Sequence, residues 1–170
     1  YLLHGVTGSG KTEVYMELIA RVISEGKQAL VLIPEIALTF QTVRRFHERF
    51  RDRVSVMHSR LSDGERYDQF LRAQEGDIDV MIGPRSALFA PFSHIGMIIM
   101  DEEHENSYKS DTVPRYHARE AAIFRAGMCG ASVVLGSATP SVESYYYACK
   151  GVYGLYRLTV RAREAQLPKV

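Results

Sequence analysis

Eight residues near the start of the chain, Gly5-Val6-Thr7-Gly8-Ser9-Gly10-Lys11-Thr12, have the types and spacing to hold a nucleoside triphosphate. They fit G-x-x-x-x-G-K-[ST], in which consecutive backbone amides curl around an anion. Gly5, Gly8 and Gly10 remove the β-carbons that would obstruct that curl. Thr7 and Ser9 line the same loop. Lys11 offers a compact positive charge for phosphates, and Thr12 offers a hydroxyl for Mg²⁺. The bland alternative is a glycine-rich turn with no ligand.

A second cluster, Asp101-Glu102-Glu103-His104, follows the apolar run Ile95 to Met100. Asp101 is placed to ligate Mg²⁺, a hard cation that takes oxygen donors. Glu102, one residue further, is the better candidate for the base that orients an attacking water. The alternative is a surface acidic turn. His104 could hydrogen-bond toward Ser137 or Thr139 in Gly136-Ser137-Ala138-Thr139, linking the nucleotide site to another surface.

The elements that must position these residues follow from periodicity. Tyr1 to His4 reads as a short buried strand ahead of the loop. Val14, Leu18 and Val22, with Ile19 and Ile23, mark one face of a helix that stops at Gly26. Ala29 to Ile33 is a strand buried on both faces. Thr39 caps a helix with apolar positions Phe40, Val43, Phe46 and Phe50 and an arginine-bearing solvated face. Val54 and Val56 lead a third strand, and Ser62 to Glu65 forms a capping box for a polar helix. Ile78 to Ile82, Ile95 to Met100 and Ala131 to Leu135 are further strands, with helices near His117 to Ala126 and Val142 to Lys150. Tyr153 to Leu158 reads as an edge strand. Strands alternating with helices predict an α/β fold, three layers with a mostly parallel sheet and helices on both faces. Ligands bind such sheets at the carboxyl ends of strands, where all of these loops fall.

The 170 residues suit one domain: a lobe over 1–160 and a polar tail over 161–170. With 46% hydrophobic and 24% charged residues, the composition is that of a globular protein. No apolar run approaches the ~20 residues that span a bilayer. No secretory signal is visible, and the chain opens directly in its first strand, which reads as a piece of a longer protein. A net charge of +1 leaves nucleic-acid binding to a local surface. Cys129 and Cys149 form no C-x-x-C pair, and D-E-E-H does not match the H-E-x-x-H zinc pattern. Arg85, in Gly83-Pro84-Arg85-Ser86, can present a charge and backbone amides to a phosphate.

These motifs together carry a family resemblance. Gly5–Thr12, Pro34-Glu35-Ile36-Ala37-Leu38-Thr39, Gly83–Leu88, Asp101–His104 and Gly136–Thr139 occur in the order of helicase motifs I, Ia, Ib, II and III. The chain resembles superfamily-2 DEAD/DEAH-like helicases. G-V-T-G-S-G-K-T-E-V-Y, P-E-I-A-L-T, R-S-A-L-F-A-P-F, D-E-E-H and R-Y-H-A-R-E resemble, within them, the primosomal replication-restart helicases (the PriA family, primosomal protein N′).

The resemblance implies a first RecA-like motor lobe of an ATP- and Mg²⁺-dependent 3′→5′ DNA helicase, bacterial, cytoplasmic and nucleoid-associated. It implies single-stranded and forked DNA as partners, along with single-stranded DNA-binding protein and primosome and helicase-loading proteins. A second lobe, an N-terminal fork-binding region and a zinc region would lie elsewhere in the parent protein, and the lobe alone would be weakly active. Pro34 and Glu35 would face the DNA backbone. Ser107 to Arg119 resembles the family's aromatic-rich loop, with Tyr108 and Tyr116 for bases and Lys109, Arg115 and Arg119 for phosphates. Two other readings stand beside it: a P-loop NTPase not coupled to DNA, and a nucleotide-binding module with little hydrolysis.

Overall fold

The computed structural model describes residues 1–161; the tail expected over 161–170 lies outside them after Arg161. Its backbone is a seven-stranded parallel sheet: β1 (Leu2–Gly5), β2 (Gln28–Leu32), β3 (Val54–Val56), β4 (Val80–Gly83), β5 (Ile95–Met100), β6 (Ser132–Ser137) and β7 (Leu155–Leu158). They lie in the order β3-β4-β2-β5-β6-β1-β7. The central strands β2 and β5 are apolar after Gln28, the first residue of β2, because both faces are covered. Leu30 and Leu32 point to one face; Ala29 and Val31 point to the other.

The helices are α1 (Lys11–Ser24), α2 (Phe40–Phe50), α3 (Asp63–Glu75), α4 (Ala118–Cys129) and α5 (Val142–Cys149). Residues of α1 and α2 pack into one core layer, and residues of α3, α4 and α5 into the other. This is the expected three-layer architecture. The capping box at Ser62 forms as the sequence predicts, and Thr39 caps α2 by accepting from Thr42 N–H. The expected edge strand is β7, parallel to β1. No helix among the described residues is long and apolar enough to cross a membrane.

Two expectations about helix faces change. The deeply buried stripe of α1 is Tyr15, Met16, Ile19 and Val22, with Val14 and Leu18 half-buried. Tyr15 contributes a large ring with a polar tip, which apolar periodicity alone passes over. On α2 only Phe46 is fully buried, whereas Phe40 is 80% exposed. Phe40 is the first residue of the helix. The arginine face of α2 is exposed as expected, and Arg45 and Arg49 also pair across it with Glu13 and Glu17 of α1.

Candidate functional site

β1 delivers the chain to the phosphate-binding loop at the carboxyl edge of the sheet. Gly8 and Gly10 take φ of 78° and 90°, a region that strains any residue with a β-carbon. A β-carbon at Gly5 would sit 2.5 Å from Ser9 Oγ. α1 starts at Lys11, so its positive dipole end meets the loop. Lys11 is buried, donates to the Gly5 carbonyl at 2.9 Å and lies 3.9 Å from Glu102 Oε1. Ser9 Oγ is buried with no hydrogen-bond partner among the described residues. Thr7 is exposed on the loop and Thr12 is half-buried beside Lys11.

β5 ends at Met100, and its continuation brings two carboxylates to the same place. Burial pushes the Asp101 carboxyl above its ordinary range; the Tyr15 hydroxyl and the Lys11 ammonium oppose that push. Burial and the neighbouring Asp101 likewise raise Glu102. Glu102 has φ of 46°, a strained value for a residue with a side chain. The turn that imposes it aims the carboxylate back at Lys11 and places it 3.7 Å from His104 Nδ1. A half-buried base of raised pKa beside a buried ammonium can accept a proton from water held there.

Several residues inside the quoted strings position these groups in ways that the strings do not spell out. Tyr15 donates to Asp101 Oδ1 at 2.9 Å, and its hydroxyl lies against Gly136, where a β-carbon would overlap it. Glu103 is 1% exposed and accepts from Ser141 N–H (2.6 Å), Ser141 Oγ (3.1 Å), Ser144 Oγ (2.9 Å) and Arg119 Nη1 (3.4 Å). It thereby ties the acidic turn to the start of α5. His104 Nδ1 is 2.7 Å from Ser137 Oγ, and His104 Nε2 is 3.3 Å from Thr139 Oγ1. These are the two contacts the sequence raised. Ser137 is fully buried and Thr139 is exposed. In the sequence, a tyrosine four residues after the loop lysine was the available signal for Tyr15.

The strand ends that were expected to meet DNA lie along one edge. Pro34 is buried; Glu35 is exposed, and its Oε1 accepts from Ser59 N–H at 2.9 Å. Arg85 donates to the carbonyls of Ser107 (3.0 Å) and Lys109 (2.5 Å), holding the start of the 107–119 loop. Lys109 and Arg115 are exposed. Tyr116 is half-buried and packs edge-on against Phe89 at 5.3 Å.

Two expectations for this loop are overturned. Tyr108 is 1% exposed, so neither face of its ring is open to a base. Its hydroxyl lies 2.6 Å from the Asp101 carbonyl and 2.9 Å from that of Leu32. Burial drives its ionisation far above the ordinary range. Arg119 is turned inward to Glu103, Ser141 and Ser144, and its charge is spent there rather than on a phosphate. The loop is therefore pinned at both ends to the acidic turn, and its longest exposed run is its middle, Asp111 to Arg115.

The chain is similar to known proteins in both sequence and shape. It is 55% identical over 170 residues to the replication restart protein PriA of Bacillus subtilis, matching 100% of this chain and 21% of that one. The chain thus spans about a fifth of the length of the curated relatives it matches. Among solved structures it superposes on RecG bound to a three-way DNA junction with a TM-score of 0.68 and 23% identity. That match covers 98% of this chain and 21% of the other. It also superposes on the Hef helicase domain of Pyrococcus furiosus with a TM-score of 0.63 and 19% identity, covering 93% and 35%. At those identities the likeness is one of fold. The family model described as DEAD/DEAH box helicase matches residues 1–146, and the chain belongs to that family.

Proposed function

We propose that this chain is the ATP-binding first motor lobe of a DNA helicase of the replication-restart type, translocating 3′→5′ and acting at stalled forks. The observation that carries the reading is the meeting of Lys11, Asp101 and Glu102 at one strand edge, with Lys11 Nζ 3.9 Å from the Glu102 carboxylate. The similarity to replication restart proteins supports the cellular role.

The residues present fit a magnesium nucleotide. Ser9 Oγ is buried without a partner in the loop, a buried ammonium stands beside it, and Thr12 and Asp101 supply oxygen donors. Mg²⁺ held by Thr12 and Asp101 would neutralise phosphate charge. Gly5 to Thr12 bind the phosphates with backbone amides and the Lys11 charge. Glu102 orients water and takes its proton. His104, Ser137 and Thr139 join this site to the neighbouring strand end, and Arg85, Lys109, Arg115 and Tyr116 meet single-stranded or forked DNA. Pro34 and Glu35 shape that edge. The second lobe, a fork-binding region, single-stranded DNA-binding protein and primosome-loading proteins are the partners of the whole protein in a bacterial cytoplasm.

The test is steady-state ATP hydrolysis by the full-length protein with and without single-stranded DNA, with Glu102→Gln alongside. Strong stimulation lost in the variant is the expected result. Hydrolysis indifferent to DNA would overturn the motor reading in favour of an uncoupled NTPase.

A further inference from the structure

The D-E-E-H turn brings consecutive carboxylates to one strand end, yet it offers a cation very few oxygens. Glu103 is buried, and both of its carboxylate oxygens are taken by Ser141, Ser144 and Arg119. Glu102 turns Oε1 toward Lys11 and Oε2 toward His104. That leaves Asp101, and there a side chain from another element intervenes. Tyr15, on α1, is 1% exposed and donates its hydroxyl to Asp101 Oδ1 at 2.9 Å. The main chain of Asp101 is fixed as well. Its N–H donates to the Leu32 carbonyl (2.8 Å), and its carbonyl accepts from the Tyr108 hydroxyl (2.6 Å).

The Tyr15 hydroxyl is held at that oxygen from two sides. Its ring belongs to the core layer with Leu3, Ile99 and Val134. The hydroxyl itself fills the space left by Gly136, where a β-carbon would come within 1.6 Å of it. Turning both oxygens of Asp101 to one ion would break the bond to Tyr15 in a site withdrawn from water, where an unpaired hydroxyl is costly. Oδ2 is therefore the oxygen presented, and Thr12 adds a hydroxyl. Among the described residues no group of acidic, histidine or cysteine side chains could hold a metal ion by itself. A single carboxylate oxygen and a hydroxyl, completed by phosphate and water, suit Mg²⁺, which demands near-ideal octahedral geometry and keeps several waters. Ca²⁺ takes more oxygens at longer distances and accepts bidentate carboxylates.

We propose that Tyr15 sets the metal preference of the nucleotide site: by occupying Asp101 Oδ1 it keeps that carboxylate monodentate, which accepts Mg²⁺ and penalises Ca²⁺. This rests on the magnesium-nucleotide reading above and adds to it a positioning residue that selects the ion. Tyr15 acts through Asp101 and is not a ligand.

The test is titration of a non-hydrolysable ATP analogue into the full-length protein with saturating Mg²⁺ or Ca²⁺, read as the ratio of the two dissociation constants. Tyr15→Phe keeps the ring and frees Oδ1. It should weaken binding with Mg²⁺, spare binding with Ca²⁺, and shrink the advantage of Mg²⁺ about fivefold or more. Gly136→Ala, whose β-carbon displaces the hydroxyl while Tyr15 remains, should shift the ratio in the same direction. A contact that only stabilises the fold would weaken both complexes alike. An unchanged ratio in Tyr15→Phe, or binding lost alike with both ions in both variants, overturns the proposal. If Tyr15→Phe does not fold, the ratio in Gly136→Ala decides in the same way. Failure of the wild-type protein to bind the analogue with Mg²⁺ would instead overturn the nucleotide-site reading itself.

Discussion

Tyr15 offers the sharpest test of how the acidic turn is built. Its hydroxyl donates to Asp101 Oδ1 at 2.9 Å, and both groups are largely withdrawn from water. Tyr15→Phe removes the donor and keeps the ring. A hydrogen bond to a charged group contributes about 1.5–3 kcal/mol. For a domain of this size that corresponds to a fall in Tm of roughly 3–12 °C. The sign with pH follows from linkage. Burial already raises the Asp101 pKa, and loss of the hydroxyl raises it further. A carboxyl whose pKa is raised on folding costs stability once ionised. The deficit of the variant is therefore full above the folded-state pKa and shrinks as pH falls below it. Thermal unfolding of wild type and variant at neutral and mildly acid pH reads this directly. Gly136→Ala probes the same contact from the other side, since its β-carbon overlaps the Tyr15 hydroxyl and would approach ring Cζ at 2.8 Å. Overpacking of this kind costs about 1–3 kcal/mol. In the Tyr15→Phe background the nearest obstacle is gone, so the two costs should fall short of their sum by about 1 kcal/mol. An unchanged Tm for Tyr15→Phe, or strictly additive costs in the pair, would refute the account.

Other consequences can be checked alongside. Lys11→Ala should weaken Mg-ATP binding at least about tenfold, read by titration, because the loop loses its only ammonium. Glu102→Gln should keep nucleotide affinity and lose turnover; a normal rate would remove Glu102 from the base role. The acid limb of the hydrolysis profile should lie above the ordinary glutamate value of 4.5, since burial and Asp101 both raise Glu102. Activity is lost as pH falls through that raised pKa. Arg119→Ala leaves the buried Glu103 without its cation and should cost about 3–5 kcal/mol of stability in denaturant unfolding, whereas Arg115→Ala, at an exposed position, should cost less than about 0.5 kcal/mol.

What the sequence made legible was whatever repeats with a period or sits in a fixed string. Continuous apolar runs such as Leu30 to Ile33 and Ile95 to Met100 read as buried parallel strands, because a strand covered on both faces has no polar position to interrupt it. The phosphate loop and D-E-E-H fell at strand ends because the alternation of strands and helices dictates which loops share an edge. The direction of a loop side chain carries no such signal. Tyr108 and Arg119 have the composition of a nucleic-acid surface, and both turn inward. The carbonyls at the ends of β2 and β5 and the buried Glu103 carboxylate need donors that no periodic pattern supplies.

The reverse holds for Phe40, which has the spacing of a core residue and stands in solvent at the first position of α2. The inward turns of Tyr108 and Arg119 share a physical cause. A buried acceptor claims the nearest long polar side chain, whatever its composition would suit it for on the surface. The loop between motif II and α4 was read as a DNA-facing strip. Its two ends, Tyr108 on the Asp101 carbonyl and Arg119 on Glu103, turn inward and make it a strap on the acidic turn. A pull on its exposed middle is then felt one bond away from Asp101 and one residue away from Glu102. On the DNA-binding reading proposed above, a single strand drawn across that middle would act on the nucleotide site without touching it.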